Sequence, residues 1–246
     1  MAGWDEFLTE RDKQHVAIWG KKDRDDFGSR PVVLVIDVHY NSLGHERKPL
    51  FESIKNWPMS CGLDGWNAVD RMVELLASAR ANDVPVIYVR GLEGFPSDSS
   101  RVRERGNARN RRIDHLPPET RALANEIVAE IAPKPGELVI GKATSSAFGG
   151  TPLVYYLRML GADTIIVCGE STSGCVRAAV LDAAALRYRV GVVGDCCYDR
   201  TQASHWMNLF DMHQKYGEVI NLTEAKEYFS ALRETASPEL KAVRTA

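Results

Sequence analysis

A chain of 246 residues is long enough for one large domain with a full hydrophobic core. Its 44% hydrophobic and 26% charged content is ordinary for a globular protein, and a net charge of −2 gives no footing to nucleic acid or an anionic membrane as partner. No apolar run approaches the ~20 residues of a membrane span, and Met1 to Lys22 lacks the apolar core of a secretory signal, so the expected location is the cytoplasm.

In chain order, residues 1–30 read as a polar N-terminal extension, a candidate for contact with a neighbouring subunit. Pro31 to Val38 is an apolar run with the length of a buried strand. His39 to Gly62 is a long connection carrying Phe51, Ile54, Trp57, Pro58 and Met59. A helix follows from Leu63 to Asn82, broken by Asn82-Asp83, and then a strand from Pro85 to Val89. Gly91 to Pro118 is a second long connection, with Arg101, Arg103, Arg105, Arg109, Arg111 and Arg112. No aromatics interleave with these arginines, so they read as a solvated loop or a subunit-interface charge patch. The remaining pattern is a helix Glu119–Ile131, strand Glu137–Gly141, helix Thr151–Leu160 stopped by Gly161, strand Thr164–Cys168 and helix Gly174–Leu186. Strand Arg189–Val193, helix Thr201–Tyr216, strand Glu218–Leu222 and helix Thr223–Leu232 complete a domain spanning 31–233, with a tail at 234–246.

Strands alternating with helices predict a parallel sheet covered on both faces. With right-handed crossovers this is a doubly wound, Rossmann-like α/β fold of six strands in the order 3-2-1-4-5-6. Five cysteines (Cys61, Cys168, Cys175, Cys196 and Cys197) form neither a disulfide framework nor a metal-type pair, and read as reduced thiols.

Open α/β sheets bind ligands outside the carboxyl ends of their strands. Three chemically useful residues fall there. Asp37 lies at the end of the first strand, Lys142 follows the third and Cys175 the fourth. Cys175 stands at the start of a helix, where unpaired N–H groups and the helix dipole favour negative charge. A free thiol is only about 3% thiolate at neutral pH, and such a position is expected to lower its pKa. The sequence thus pairs a candidate nucleophile with a carboxylate and a cation.

Three segments carry a resemblance to a known family: Val33-Leu34-Val35-Ile36-Asp37, Gly141 to Phe148, and Gly169 to Arg177 with its Thr-Ser-Gly-Cys-Val-Arg core. They resemble the signature regions of the isochorismatase-like cysteine hydrolases, over about residues 31–230. Asp199-Arg200 and Gln202-Ala203-Ser204-His205 look most like the N-carbamoylsarcosine amidase branch. The resemblance implies a triad in which Cys175 is the nucleophile, Asp37 the general base and later acid, and Lys142 the stabilising cation. It also implies an oxyanion hole from the backbone N–H groups of Ser171 and Cys175, a cis peptide at Glu170–Ser171, and a homodimer or homotetramer.

Around the triad, Arg200, His39, Asn41, Phe148, Thr172 and His205 are the expected substrate-binding residues. Arg200 falls where that branch holds a substrate carboxylate, or it pairs with Asp199 or Asp195. His39 either shapes the pocket or is a plain loop histidine, and Arg177 reads as a partner in a structural ion pair. Nicotinamidases of the superfamily carry a zinc site after the second strand. Tyr88 to Phe95 holds no histidine here, so neither a metal nor a cofactor is expected.

The expected activity is hydrolysis of a C–N bond in a small linear amide, N-carbamoyl or ureido compound, releasing ammonia through a thioester. Maleamate or a biuret- or triuret-type substrate is the alternative within the superfamily. A catalytically silent binding protein on the same fold would lack a triad member. A Rossmann oxidoreductase would need G-x-G-x-x-G after the first strand, where Asp37-Val38-His39-Tyr40-Asn41 stands instead.

Overall fold

A computed structural model describes residues 3–19, 26–92 and 115–235. In chain order, a short 3-10 turn at Gly3–Glu6 and helix α1 (Glu10–Trp19) precede strand β1 (Pro31–Ile36). Two one-turn helices, α2 (Tyr40–Leu43) and α3 (Leu50–Ser53), lead into the long helix α4 (Gly62–Ala81) and strand β2 (Val86–Gly91). Then come α5 (Pro118–Ala122), β3 (Leu138–Lys142), α6 (Leu153–Met159), β4 (Thr164–Glu170), α7 (Arg177–Ala185), β5 (Arg189–Tyr198), α8 (Gln202–Lys215), β6 (Glu218–Ile220) and α9 (Leu222–Thr235). The six strands form one all-parallel sheet in the order β3-β2-β1-β4-β5-β6, as the alternation predicts.

Successive side chains of a strand point to opposite faces, and β1 divides the core accordingly. Val33 and Val35 face a layer made by Trp66, Val69, Met72 and Leu76 of α4 with Phe229 of α9. Val32, Leu34 and Ile36 face the other layer, made by Leu153 and Leu157 of α6, Val180 and Ala183 of α7, and Leu209 and Met212 of α8. β1 is buried along its whole length, so it reads as an unbroken apolar run, as a central strand covered on both faces must.

The region before β3 departs from the sequence reading. The helix expected over 119–131 is only α5, followed by irregular chain and a 3-10 turn at Ala129–Ile131. Among those irregular residues Tyr40 N–H bonds Glu126 O and Asn41 N–H bonds Ala124 O, so this backbone braces α2 instead of winding on itself. The N-terminal segment also finds contacts within its own chain: the Trp4 ring lies 6.2 Å from Phe210 and 5.4 Å from His213, both on α8. The arginine-rich stretch Arg101 to Arg112 lies outside the described residues. Among those described, no helix is long and apolar enough to cross a membrane.

Near the end of β4, Gly169 has φ +122°, and a Cβ placed on it would lie 2.1 Å from Ile36 O of β1. Both the dihedral and the close approach require glycine. Pairing of β4 with β5 jumps at this point, from Val167–Val192 to Gly169–Cys197, with extra residues of β5 bulging out. Gly169→Ala is expected to cost about 1–3 kcal/mol in backbone strain alone, more once β1 and β4 are forced apart. Urea unfolding of the variant against the native chain measures this.

Candidate active site

Asp37 is the first residue past β1. Its N–H still bonds Val89 O of β2 at 2.9 Å, while its φ of +51° turns the chain out of the strand. Aspartate tolerates that left-handed conformation better than most residues. Lys142 closes β3, and Cys175 sits in a single π-helical turn, Thr172–Val176, that joins β4 to α7. Three separate strand ends therefore deliver the three groups to one edge of the sheet.

They meet. Lys142 Nζ lies 2.6 Å from Asp37 Oδ2 and donates to Cys175 Sγ at 3.3 Å and to Thr144 O at 3.2 Å. The Asp37 and Lys142 side chains are 7% and 6% exposed. At such depth an unpaired charge is costly, and shared pairing offsets much of that cost. Asp37 Oδ1 is buried with no hydrogen-bond partner, an acceptor left over beside the thiol.

The expectation of a lowered thiol pKa is overturned. Burial, followed by the negative charge of Asp37, pushes the Cys175 thiol up to about 12, against the downward pull of Lys142. The π-helical turn also places Cys175 before α7 rather than on its first turn, which weakens the dipole argument. Cys175 is therefore a protonated thiol beside a carboxylate. Lys142 stays charged, its pKa raised because Asp37 and Cys175 outweigh its own burial.

The peptide Glu170–Ser171 is cis, as the resemblance implies. Ser171 O accepts from Gly174 N–H at 2.9 Å and Val176 N–H at 3.1 Å, which curls the turn. Ser171 N–H has no backbone acceptor among the described residues. The turn is braced from behind, where Asp199 Oδ2 accepts from Ser173 N–H at 2.7 Å and Thr172 Oγ1 meets His205 Nδ1 at 2.8 Å. Burial lowers the His205 pKa, which favours the neutral ring for this bond.

The other expected residues separate into groups. Phe148 packs, as Cys175 does, against the core layer of α6, α7 and α8. His39 lies at the start of α2 and bridges to Ile127. Asn41, on α2, keeps a buried Oδ1 without a partner. Thr172 is fully buried and engages His205, so these two hold the turn. His205 also lines a cavity of about 560 Å³ between α8, β6 and Trp4, whose walls include none of the triad.

Arg200 pairs with neither Asp199 nor Asp195. Its Nη1 donates to Glu170 Oε1 at 2.5 Å, while Asp199 accepts from backbone N–H groups and Asp195 from Leu222 N–H. Glu170 escaped the sequence reading because the strand was ended at Cys168. The available signal was a charged residue closing an apolar run, the same signal that marks Asp37. Arg177 forms no ion pair among the described residues, and its Nε is buried without a partner. Among those residues, no group of three or more His, Cys, Asp or Glu side chains is placed to hold a metal ion.

With this geometry, comparison with known proteins is informative. The isochorismatase domain model matches residues 50–224. An N-carbamoylsarcosine amidase from an Arthrobacter species is 32% identical over 219 residues, covering 87% of this chain and 76% of the relative. A maleamate amidohydrolase from Pseudomonas putida is 42% identical over 97 residues, but that match covers only 39% of this chain and 46% of the relative. Among solved structures, a cysteine hydrolase from Pseudomonas syringae superposes with a TM-score of 0.68 at 23% identity, covering 83% of this chain and 94% of that one. That likeness shows the fold alone.

The raised thiol pKa predicts that the free protein shows no Cys175 thiolate up to about pH 9. The difference in thiolate ultraviolet absorbance between the native chain and Cys175→Ala measures this. Lys142→Met is expected to delay ionisation further, because it removes the neighbouring cation. The matched domain, the long N-carbamoylsarcosine amidase alignment and the shared fold together establish that the chain belongs to the isochorismatase family.

Proposed function

We propose that this protein is a cysteine amidohydrolase that cleaves a C–N bond in a small linear amide, N-carbamoyl or ureido compound and releases ammonia. The observation that carries the reading is the contact of a buried carboxylate, ammonium and thiol at one sheet edge. Two relatives named for amide hydrolysis, at 32% and 42% identity, support it. A binding protein on this fold has no use for such a costly buried cluster.

The chemistry follows from the protonated resting thiol. Asp37 takes the thiol proton as the sulfur attacks the carbonyl carbon, so the thiolate forms only when substrate is present. Lys142 supports the negative charge passing between carboxylate and sulfur. The tetrahedral oxyanion lies on the N–H groups of Ser171 and Cys175, each such donor being worth about 2.7–4 kcal/mol of barrier. Protonated Asp37 then returns its proton to the departing nitrogen, and ammonia leaves. The same carboxylate deprotonates a water, which attacks the thioester, frees the acid product and restores the thiol. Asn41 Oδ1, buried without a partner, suits a substrate N–H, and Phe148 packs against the same core layer as Cys175.

Arg200 suits a substrate carboxylate, which favours N-carbamoylsarcosine-like ureido acids, with maleamate and biuret- or triuret-type amides as alternatives. The protein works in the cytoplasm as a homodimer or homotetramer in this reading. Exposed Tyr155, Met159 and Leu160 on and just after α6 support self-association.

Cys175→Ala is expected to reduce ammonia release about a thousandfold or more, with the fold retained by circular dichroism. A panel of small amides and ureido acids assayed for ammonia tests this, and retained turnover removes Cys175 as nucleophile. Arg200→Ala is expected to lower kcat/KM about 10–100-fold on substrates bearing a carboxylate and less on uncharged amides. Equal losses on both classes remove its carboxylate role.

A further inference from the structure

The Glu170–Arg200 pair is unlike the surface ion pairs of this protein. Glu170 immediately precedes Ser171, its side chain is 9% exposed, and Arg200 Nη1 reaches its Oε1 at 2.5 Å. Arg200 itself is 37% exposed, so the pair has a buried anionic end and an open cationic end. The carboxylate feels the charge of Asp37 from the end of β1 and of Asp199 and Arg200 from the turn after β5, and its own charge acts on Cys61 at the start of α4 and Tyr198 on β5. Two of these neighbours are acids and one is a base. The guanidinium is the observed partner of Glu170 and, in the function proposed above, also the group that holds a substrate carboxylate.

We propose that Glu170 is a specificity-determining residue that competes with a substrate carboxylate for Arg200. Ionised, it occupies one guanidinium nitrogen and cancels the cation, so the open end of the pair accepts an uncharged amide or urea group. Protonated, it releases the full charge of Arg200 to a carboxylate. Burial, with Asp37 and Asp199 nearby, pushes the Glu170 carboxyl up to about 7 against the pull of Arg200. The exchange therefore falls near neutral pH: selectivity for carboxylates is highest below about pH 7 and declines as pH rises through it. This deepens the reading of Arg200 given above and rests on it.

The test needs no turnover, so it is separable from failure of the amidase reading. Cys175 is the cysteine of five that is not buried, and, with Asp37 taking the thiol proton as the sulfur attacks, it can be alkylated slowly by iodoacetate, which carries a carboxylate, or by iodoacetamide, which does not. The ratio of the two rates, followed at Cys175 by mass spectrometry, cancels changes in how readily the thiol gives up its proton and reads the local charge. In the native chain the iodoacetate-to-iodoacetamide ratio is expected to fall severalfold between about pH 6 and pH 8.5. In Glu170→Gln it is expected to stay near its low-pH value, about tenfold above the native chain at the upper pH. In Arg200→Gln it is expected to be low throughout.

A ratio that is pH-independent in the native chain overturns the proposal, whether or not Glu170→Gln folds. So does a Glu170→Gln ratio equal to or below the native one, which would mean that Glu170 merely props Arg200. Ammonia assays with N-carbamoylglycine and its uncharged counterpart N-carbamoylglycinamide then bear on the amidase reading separately.

Discussion

The ammonium of Lys142 lies 2.6 Å from the Asp37 carboxylate and 3.3 Å from the Cys175 sulfur, and these groups can be buried together because the cation is shared. Removing water from a carboxylate or an ammonium separately costs several kcal/mol, and pairing recovers that only with close geometry. Sharing has a kinetic consequence. In the proposed mechanism, negative charge passes from Asp37 to sulfur to oxyanion without leaving the reach of Lys142 or the Ser171 turn. The protein need not maintain a thiolate at rest, which would invite oxidation and metal capture.

The sheet makes this sharing possible. β1 lies between β2 and β4, where successive strands depart to opposite sides, and such reversal points open a crevice at the carboxyl ends. β3 brings Lys142 from one side of β1, and β4 brings Cys175 from the other. The central strand places Asp37 between them. Gly169 lets β4 run close against Ile36, the residue before Asp37, before the chain turns into the π-helical loop that carries Cys175.

Much of this was legible in the residues. Apolar runs separated by amphipathic stretches gave the strand order, and a charged or reactive residue closing a run marked Asp37, Lys142 and Cys175. What periodicity could not give was the electrostatic sign of their encounter. A helix start favours a thiolate, but that small effect loses to burial and to the adjacent carboxylate, and neither can be read before the strands are assembled. Glu170 was hidden because a β-bulge extends β4 and β5 beyond their apolar cores. The 119–131 segment misled for a related reason: its backbone groups are spent on α2, a long-range pairing that local helix propensity does not encode.

The turn from Ser171 to Val176 is held by Asp199 and His205, and Arg200 sits between those two residues in sequence. In the proposed function, retargeting substrate choice at Arg200 edits the same short stretch that braces the oxyanion turn, so libraries confined to that stretch trade selectivity against rate. Diversity introduced on α2, which approaches the crevice from β1, leaves that bracing untouched.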